Sequence, residues 1–262
     1  MPELPEVEMA RRFVQDRSRG RRVASLDVLD GKMLIRGSEL SMREEFFGRR
    51  VGDACRHGKN LLVAIGNSYL YIHLGMSGSL HLVGDGGHTS HERLRLGLDD
   101  GVLVLDDPRR FGRFGIYQRI EDLIAEKALG PDALTVSERE FSSRLEGRKG
   151  SIKPLLLDQR VIAGVGNLYA DEALFQRGLH PATKADALSR HEMADLANTI
   201  RKVLETSISV RTEFSRLPDG SLLRDRRVGA PCPRCGKGLE STRVGGRTTI
   251  LCPGCQSPRT KP

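Results

Sequence analysis

Two closely spaced cysteine pairs near the C-terminal end place the strongest constraint on how this chain of 262 residues can fold. Cys232 and Cys235 form the first pair, Cys252 and Cys255 form the second, and sixteen residues separate the pairs. Four thiolates complete the tetrahedral shell of a zinc ion and leave no position open for a substrate. The spacing therefore predicts one structural Zn²⁺ held by these four cysteines.

The residues between the two cysteine pairs indicate a hairpin. Thr248–Leu251 has the composition of a strand, so the module is predicted to be a zinc ribbon or a β-hairpin finger. Arg243 and Arg247 fall on this hairpin, where their guanidinium groups can reach phosphate. A solvated basic surface is the alternative interpretation of these two arginines.

The charge balance favours an anionic partner. Lys and Arg number 42 against 34 Asp and Glu, a formal net charge of +8, which suits a polyanion although many basic proteins bind no nucleic acid. No apolar run approaches the roughly 20 residues of a membrane span, and the acidic N-terminus has no apolar signal core. We therefore predict a cytoplasmic protein without a membrane partner. No oligomerisation seam is evident, so a monomer is expected.

The hydrophobic period changes twice along the chain. Residues 5–18 have a helical pattern, whereas residues from Val23 to about Ile120 alternate with period two between turn signals. The clearest hairpin joins Arg93–Leu98 to Val102–Leu105. This pattern predicts an antiparallel sandwich or barrel. From about residue 121 to residue 208 the pattern is helical again, with helices expected at about 167–176 and 189–206, and a polar connector follows at 209–231.

The first residues of the chain carry a chemical possibility. If Met1 is removed, which a small second residue such as Pro2 permits, the chain begins with a secondary amine beside Glu3. An α-amino group has a pKa of about 7.7–8.0, so roughly a tenth of it is free base at neutral pH. Only the free base attacks carbon, which makes such an amine a ready nucleophile for Schiff-base chemistry. An ordinary N-terminus in which Pro5 opens a helix is the alternative.

Two loops could reach a nucleic acid base stack. Asp107–Gly112 follows a predicted strand and carries Arg109 and Phe111, which could place a cation and an apolar wedge into the stack. A structural turn with Phe111 in the core is equally compatible with the sequence. Met76, in the stretch from His73 to Leu80, is by itself more typical of a core residue than of a wedge.

A glycine-rich turn and a lysine are further candidates for binding an anion. Gly164-Val165-Gly166 precedes a predicted helix, and such a turn can direct backbone N–H groups at an anion. Asn167 could cap that helix or donate to a phosphate, and a plain tight turn is the alternative. Lys59 opens a predicted strand, where a surface lysine is the simpler interpretation.

Six sequence motifs follow one another along the chain: MPELPEVE, HGKNLL, IHLGMSGSL, DPRRFG, SIKPLLLDQRVIAGVGNLYADEALFQRGLHP and PCPRCG…CPGCQ. They span nearly the whole chain, and together they resemble the formamidopyrimidine-DNA glycosylase branch of the Fpg/Nei family of base-excision repair enzymes. The leucine in MPELPE and the HLGMSGSL block resemble this branch more than the endonuclease VIII branch.

The resemblance implies an α+β protein of two domains. It implies an N-terminal antiparallel β-sandwich and a C-terminal helix-two-turn-helix domain that carries a β-hairpin zinc finger, with double-stranded damaged DNA bound in the cleft between the domains. On this basis we divide the chain into a catalytic β-sandwich domain with its leading helix (1–120), a helix-two-turn-helix domain (121–228) and a zinc finger (229–262).

The resemblance also implies the chemistry. Pro2 would attack C1′ of a damaged nucleotide flipped out of the duplex, Glu3 would protonate the opening sugar ring, and Lys59 would contact phosphates and assist catalysis. Met76, Arg109 and Phe111 would fill the gap left by the flipped base, with Arg109 facing the orphaned partner, usually cytosine. Three further residues are implied to contact phosphates: Lys153, Asn167 and Arg247.

One segment departs from the family pattern. The connector at 209–231 is shorter than in typical members and contains no tyrosine, whereas part of this segment in typical members folds over an oxidised purine. Removal of formamidopyrimidines is expected, 8-oxoguanine is left open, and cleavage of abasic sites needs no base recognition. An AP lyase with an altered lesion range, a non-catalytic DNA-binding paralogue and a zinc-ribbon adaptor are the alternatives.

Overall fold

The computed structural model describes residues 1–258, which form two compact units. The first unit comprises residues 1–2 and 6–127, and the second comprises residues 3–5 together with the chain from residue 128 onward. The three-part division at 1–120, 121–228 and 229–262 stays a prediction. The last four residues of that predicted zinc finger, 259–262, lie outside the described residues.

The first unit is built mainly of strands, as the period-two pattern predicts. The strands are β1 (Val23–Val28), β2 (Leu34–Arg36), β3 (Val51–His57), β4 (Asn60–Ile65), β5 (Ser68–His73), β6 (Ser79–Val83), β7 (Glu92–Leu98), β8 (Gly101–Asp106) and β9 (Arg113–Tyr117). Its helices are α1 (Leu4–Ser18), of which Leu4 and Pro5 group with the second unit, α2 (Glu39–Phe46) and α3 (Ile120–Glu126).

These strands form two sheets whose inner faces share one core. One sheet has the strand order β1-β7-β8-β6 and the other β2-β9-β5-β4-β3, and the pairs are antiparallel except β2 with β9. Alternate residues such as Leu94 and Leu96 of β7 pack with Leu61 and Val63 of β4 in a single apolar cluster. The predicted hairpin is confirmed, with Arg95 opposite Val104.

The second unit contains the remaining helices and the cysteine hairpin. Its elements are α4 (Glu138–Leu145), α5 (Ile152–Leu157), α6 (Asn167–Arg177), α7 (Arg190–Ser209), β10 (Glu240–Val244) and β11 (Arg247–Leu251). Helix α6 ends at Gly178, whose φ of 65° requires the left-handed region that glycine adopts readily. Ser189 caps α7 in a reciprocal pair of hydrogen bonds with Glu192. The α+β fold class is confirmed.

Across residues 1–258, no helix combines the length and the apolar character that crossing a bilayer requires.

Candidate functional site

The Glu3 side chain caps the N-terminal end of α6. Its carboxylate is buried and accepts hydrogen bonds from the backbone N–H groups of Leu168 (2.9 Å) and Tyr169 (3.3 Å). These are the second and third residues of the helix, whose first N–H groups have no partner within the helix. The Glu3 carboxylate therefore satisfies the N–H groups at the start of α6, as an N-cap side chain does in other helices.

The two glycines before α6 make room for this capping contact. A Cβ on Gly166 would lie 2.3 Å from Cδ of Glu3, and a Cβ on Gly164 would lie 2.4 Å from Cδ1 of Leu4. The Leu4 N–H also donates to the Gly164 carbonyl oxygen at 3.1 Å. The glycine-rich turn thus holds an anion as the motif predicts, and that anion is the protein's own Glu3.

Asn167 lies in the first turn of α6 but does not cap it. Gly166 occupies the N-cap position, and the Asn167 Nδ2 group donates to the Thr248 carbonyl oxygen at 3.1 Å. The capping interpretation is therefore wrong. The hydrogen bond instead ties the start of α6 to strand β11 of the cysteine hairpin.

Lys59, predicted to open a strand, lies in the two-residue turn that joins β3 to β4, one residue before β4 begins at Asn60. His57 pairs with Asn60 across the turn, and Gly58 has a φ of 58°, which favours glycine. Asn60 pairs in turn with His73 of β5. The turn therefore brings Lys59 to the edge of the sheet beside His73.

His73 is a residue that sequence reasoning did not single out. Burial, together with the nearby positive charges of Lys127, Lys59 and Arg113, lowers its pKa to about 4. The Gly75 N–H donates to its Nδ1 at 3.0 Å, so the neutral ring carries its proton on Nε2. His73 is thus a neutral N–H donor in a region of positive charge, which suits an anion.

Asp107 organises the loop that carries Arg109 and Phe111. Its side chain is fully buried and accepts from the backbone N–H groups of Arg109 (3.2 Å) and Gly112 (2.7 Å). Its Oδ1 also accepts from the Ser77 hydroxyl at 2.6 Å. One carboxylate therefore fixes the loop at 107–112 and joins it to the loop that follows β5.

The two loops present an exposed apolar tip in the first unit. Met76 is 40% exposed and Phe111 is 48% exposed, although side chains of this size are usually buried. The Arg109 guanidinium carbon lies 5.1 Å from the centre of the Phe111 ring. A Cβ on Gly75 would lie 2.4 Å from the Phe111 carbonyl carbon, so the loops touch closely. The core interpretations of Met76 and Phe111 are wrong.

The four cysteines come together as their spacing predicts. Their sulfur atoms all lie within 4.8 Å of one another, with 3.8 Å between Cys232 and Cys255 and 3.4 Å between Cys235 and Cys252. A tetrahedral zinc with Zn–S bonds of about 2.3 Å needs sulfur atoms about 3.8 Å apart. The residues fit the ion, and the site holds one structural Zn²⁺.

The cysteine hairpin carries its two arginines as predicted. Arg243 of β10 faces Thr248, and Arg247 of β11 faces Val244, on either side of the turn Gly245-Gly246. Both arginine side chains are exposed. A Cβ on Gly245 would lie 2.5 Å from Cγ of Pro154, so the turn is seated on α5.

Lys153 is buried, whereas a phosphate contact requires a side chain at the surface. Its side chain is fully buried, with Nζ 2.7 Å from Asp171 Oδ1 and 2.7 Å from Thr249 Oγ1. Burial lowers the pKa of Lys153, while the Asp171 charge opposes that shift. An enclosed ammonium that is already paired is unsuited to phosphate. This geometry argues against the predicted contact and for a structural role.

The connector at 209–231 packs against α6. Leu222 and Leu223 are buried, and Glu172 Oε2 accepts from the Leu223 N–H at 2.8 Å. Burial raises the pKa of Glu172. Arg226, near the end of the connector, donates through Nε to Asp171 at 3.0 Å. The segment is therefore anchored at several points along the helix.

Family comparisons match each part of the chain. The formamidopyrimidine-DNA glycosylase N-terminal domain matches residues 1–114, the H2TH domain of the same family matches residues 129–218, and the zinc finger found in FPG and IleRS matches residues 229–258.

The chain belongs to the formamidopyrimidine-DNA glycosylase family.

Relatives within this family align over nearly their whole length. The formamidopyrimidine-DNA glycosylase of Chloroflexus aggregans is 37% identical, covering 98% of this chain and 98% of its own. That of Pelotomaculum thermopropionicum is 38% identical, covering 98% of this chain and 99% of its own.

Solved structures of formamidopyrimidine-DNA glycosylases share the fold. MutM in complex with DNA containing carbocyclic 8-oxo-G is 30% identical with a TM-score of 0.88, and Lactococcus lactis Fpg in complex with DNA containing an abasic site is 29% identical with a TM-score of 0.89. Each covers 98% of this chain and 100% of the other.

Two buried aspartates were missed by sequence reasoning. Asp107 begins the motif DPRRFG, but no role was predicted for its carboxylate. Asp171 lies in a run of α6 residues that are all buried, Tyr169–Phe175. A carboxylate inside an otherwise buried helical stretch must be paired, because an unpaired buried charge is costly. The sequence could therefore have indicated that Asp171 is paired, but it could not identify the partners of Asp171.

Proposed function

We propose that this chain is a bifunctional base-excision repair enzyme, a DNA glycosylase that removes damaged bases and an AP lyase that cleaves abasic sites. The observation that carries the proposal is the anchored carboxylate of Glu3, directly beside Pro2, in a chain of this family. The names of the relatives and the damaged DNA bound in the related structures support the same substrate.

Pro2 supplies the nucleophile once Met1 is removed. Its secondary amine attacks C1′, the bond from C1′ to the base breaks, and the base departs with a proton. Glu3 protonates the ring oxygen as the sugar opens, which gives a Schiff base between the Pro2 nitrogen and C1′. Loss of the 3′ phosphate by β-elimination and then of the 5′ phosphate by δ-elimination removes the sugar.

The exposed tip formed by Met76, Arg109 and Phe111 fills the space that the flipped nucleotide leaves. The two apolar side chains replace the lost stacking, and Arg109 can donate to the orphaned base, usually cytosine. The burial of Asp107 beneath this loop supports the assignment, because the loop is held in place before DNA arrives.

Three side chains are proposed to contact phosphate groups near the lesion. Lys59, at the turn beside His73, contributes positive charge from the first unit. Asn167 and Arg247 contribute donors from α6 and β11, which the Asn167–Thr248 hydrogen bond links. The zinc site supports this grip by closing the hairpin that carries Arg247.

The lesion range is proposed to centre on formamidopyrimidines and abasic sites. The connector at 209–231 is anchored to α6 through Leu223 and Arg226, which supports a reduced role in covering an intact oxidised purine. An AP lyase with an altered lesion range is the second candidate, favoured by the same observation.

The cellular setting follows from the substrate. The named relatives are bacterial proteins, so we place this chain in the bacterial cytoplasm, associated with the nucleoid through DNA. We propose that it acts as a monomer.

Covalent trapping tests the proposal directly. Borohydride is expected to reduce the Schiff base and link the chain to a duplex that contains an abasic site, and Pro2→Gly is expected to abolish the product. Intact mass must first show that Met1 is absent, because a retained Met1 turns the Pro2 nitrogen into an amide. Undiminished trapping by Pro2→Gly contradicts the assigned nucleophile.

A panel of duplexes separates the candidate functions. Cleavage rates would be compared for abasic, formamidopyrimidine, 8-oxoguanine and oxidised-pyrimidine sites in one sequence context. Cleavage at formamidopyrimidine supports the leading proposal, and cleavage at abasic sites alone supports the AP lyase. Tight binding to damaged DNA without cleavage identifies a non-catalytic paralogue instead.

A further inference from the structure

The side chain of Asp171 is the centre of a buried charge cluster in the second unit. It is fully buried in α6, and its Oδ2 accepts from the backbone N–H of Ile250 (3.0 Å) and from Arg226 Nε (3.0 Å). Its Oδ1 faces Lys153 Nζ at 2.7 Å. One carboxylate therefore joins α5, the end of the connector and strand β11.

Lys153 extends the same cluster along β11. Its ammonium donates to Thr249 Oγ1 at 2.7 Å and to the Thr248 carbonyl oxygen at 3.3 Å, in addition to its ion pair with Asp171. The Thr248 oxygen also accepts from Asn167 Nδ2. Three successive residues of β11, from Thr248 to Ile250, are therefore held by α5 and α6.

The residue immediately before these three is Arg247, which begins β11 and is exposed. The turn that precedes it is seated on Pro154, the neighbour of Lys153. The backbone position of Arg247 relative to α6 is therefore set by the contacts of the next three residues and of the turn. A buried ion pair is sensitive to the loss of one partner, because the other charge is then left unpaired.

We propose that Lys153 and Asp171 are positioning residues, a buried pair that fixes β11 against α6 so that Arg247 and Asn167 meet neighbouring phosphates together. The inference rests on the proposed function for the phosphate roles of Arg247 and Asn167. It assigns Lys153 no contact with DNA. Its effect on binding is transmitted through Arg247.

A double-mutant cycle separates positioning from contact. Each neutralised phosphate contributes about 0.9 to the slope with which log K falls as log salt concentration rises. This corresponds to a gain in affinity of roughly eightfold at 0.1 M salt relative to 1 M salt. Arg247→Ala and Lys153→Met are each expected to lose about this much on a duplex with a tetrahydrofuran abasic analogue. The double variant Lys153→Met/Arg247→Ala is expected to bind no more weakly than Arg247→Ala.

Two outcomes of the cycle overturn the proposal. If the double variant loses a second increment, with a slope lower than wild type by about 1.8, then Lys153 neutralises a phosphate itself. If Lys153→Met binds like wild type, the pair does not position the grip. Lys149→Met is the matched control, because it removes the same charge from an exposed lysine nearby.

The ion pair has a second signature that does not require DNA. Asp171→Asn keeps an acceptor for the Ile250 N–H but removes the charge that faces both Lys153 and Arg226. We expect faster hydrogen exchange of the Ile250 amide in this variant, and partial recovery of protection when Lys153→Met is added. Lys153→Met alone leaves Arg226 on Asp171 and is expected to have the milder effect.

These readouts keep the inference apart from the proposed function. Zinc content of one ion per chain shows that a variant is folded at the hairpin, and if Asp171→Asn loses zinc, Lys153→Met carries the test. If Arg247→Ala leaves binding and its salt slope unchanged, the phosphate role of Arg247 is wrong. Unchanged Ile250 exchange in zinc-loaded Lys153→Met and Asp171→Asn shows that the pair does not hold β11.

Discussion

Glu3 Oε1 accepts a hydrogen bond from the backbone N–H of Leu168 at 2.9 Å, across 165 positions of sequence. This contact anchors the start of the chain to the start of α6, with Gly166 as the N-cap residue between them. Glu3 is both the proposed acid and the residue beside the proposed nucleophile Pro2, so its position depends on this contact. Disturbing that support should affect catalysis without removing a catalytic group.

Gly166→Ala tests this support. The added Cβ would lie 2.3 Å from Cδ of Glu3, so the carboxylate must move and its hydrogen bonds to α6 must weaken. We expect borohydride trapping on abasic DNA to slow by at least tenfold, since a misplaced acid loses about 1.4 kcal/mol or more of transition-state stabilisation. Single-turnover trapping measures the rate.

A matched glycine variant controls for the substitution itself. A Cβ on Gly84 meets no atom within 4 Å, so Gly84→Ala is expected to trap at the wild-type rate. Normal trapping by Gly166→Ala would show that the position of Glu3 is not important for Schiff-base formation.

Asp107→Asn tests the loop beneath Arg109 and Phe111. The amide keeps one acceptor but turns an NH₂ group towards a backbone or hydroxyl donor that now lacks a partner. A buried donor without a partner costs about 1–3 kcal/mol, so denaturant unfolding should shift by that amount. Discrimination between cytosine and other bases opposite an abasic site should also weaken.

Asp85→Asn gives the comparison for Asp107→Asn, because Asp85 is an exposed acid in a loop of the same unit. It is expected to leave stability within about 0.5 kcal/mol of wild type. Equal stability of the two variants would show that the buried contacts of Asp107 do not hold the loop.

His73 predicts a loss of stability at mildly acidic pH. Its folded-state pKa of about 4 lies below the value of about 6.5 in an unfolded chain. Between these values the unfolded chain binds a proton that the folded chain does not, so this contribution is fully present above pH 6.5 and decreases as the pH falls. The expected loss from pH 7 to pH 5 is about 2 kcal/mol.

His73→Gln provides the comparison, since glutamine cannot titrate. Denaturant unfolding of both proteins at pH 7 and pH 5 should show a smaller pH dependence for the variant, by about that amount. An identical pH dependence in the two proteins would mean that His73 is protonated in the folded state.

Removing zinc should weaken DNA binding more than it disturbs the first unit. Structural zinc contributes folding energy to its module, so Cys252→Ser or prolonged chelation is expected to unfold the hairpin that carries Arg247. Metal analysis, binding to abasic DNA and circular dichroism measure the three effects. Full binding by a zinc-free chain would exclude the hairpin from the DNA grip.

The sequence alone determined the features that depend on local chemistry. The cysteine spacing predicted the zinc site, because a tetrahedral ion needs two thiolates from each short loop. Alternating apolar residues predicted the strand-rich first part and the hairpin at 93–105, since a period of two follows from the pleat. The helix expected at about 167–176 corresponds to α6, which ends at Gly178.

Only the tertiary structure decided the roles that depend on distant partners. From the sequence, Phe111 was as compatible with a core as with a tip and Met76 was more typical of a core, but the two loops that meet at Gly75 leave both side chains exposed. The sequence around Lys153 is compatible with a phosphate contact and with a buried ion pair, and the burial of Lys153 against Asp171 favours the ion pair. Burial and pairing arise from residues far apart in the chain, so no local pattern encodes them.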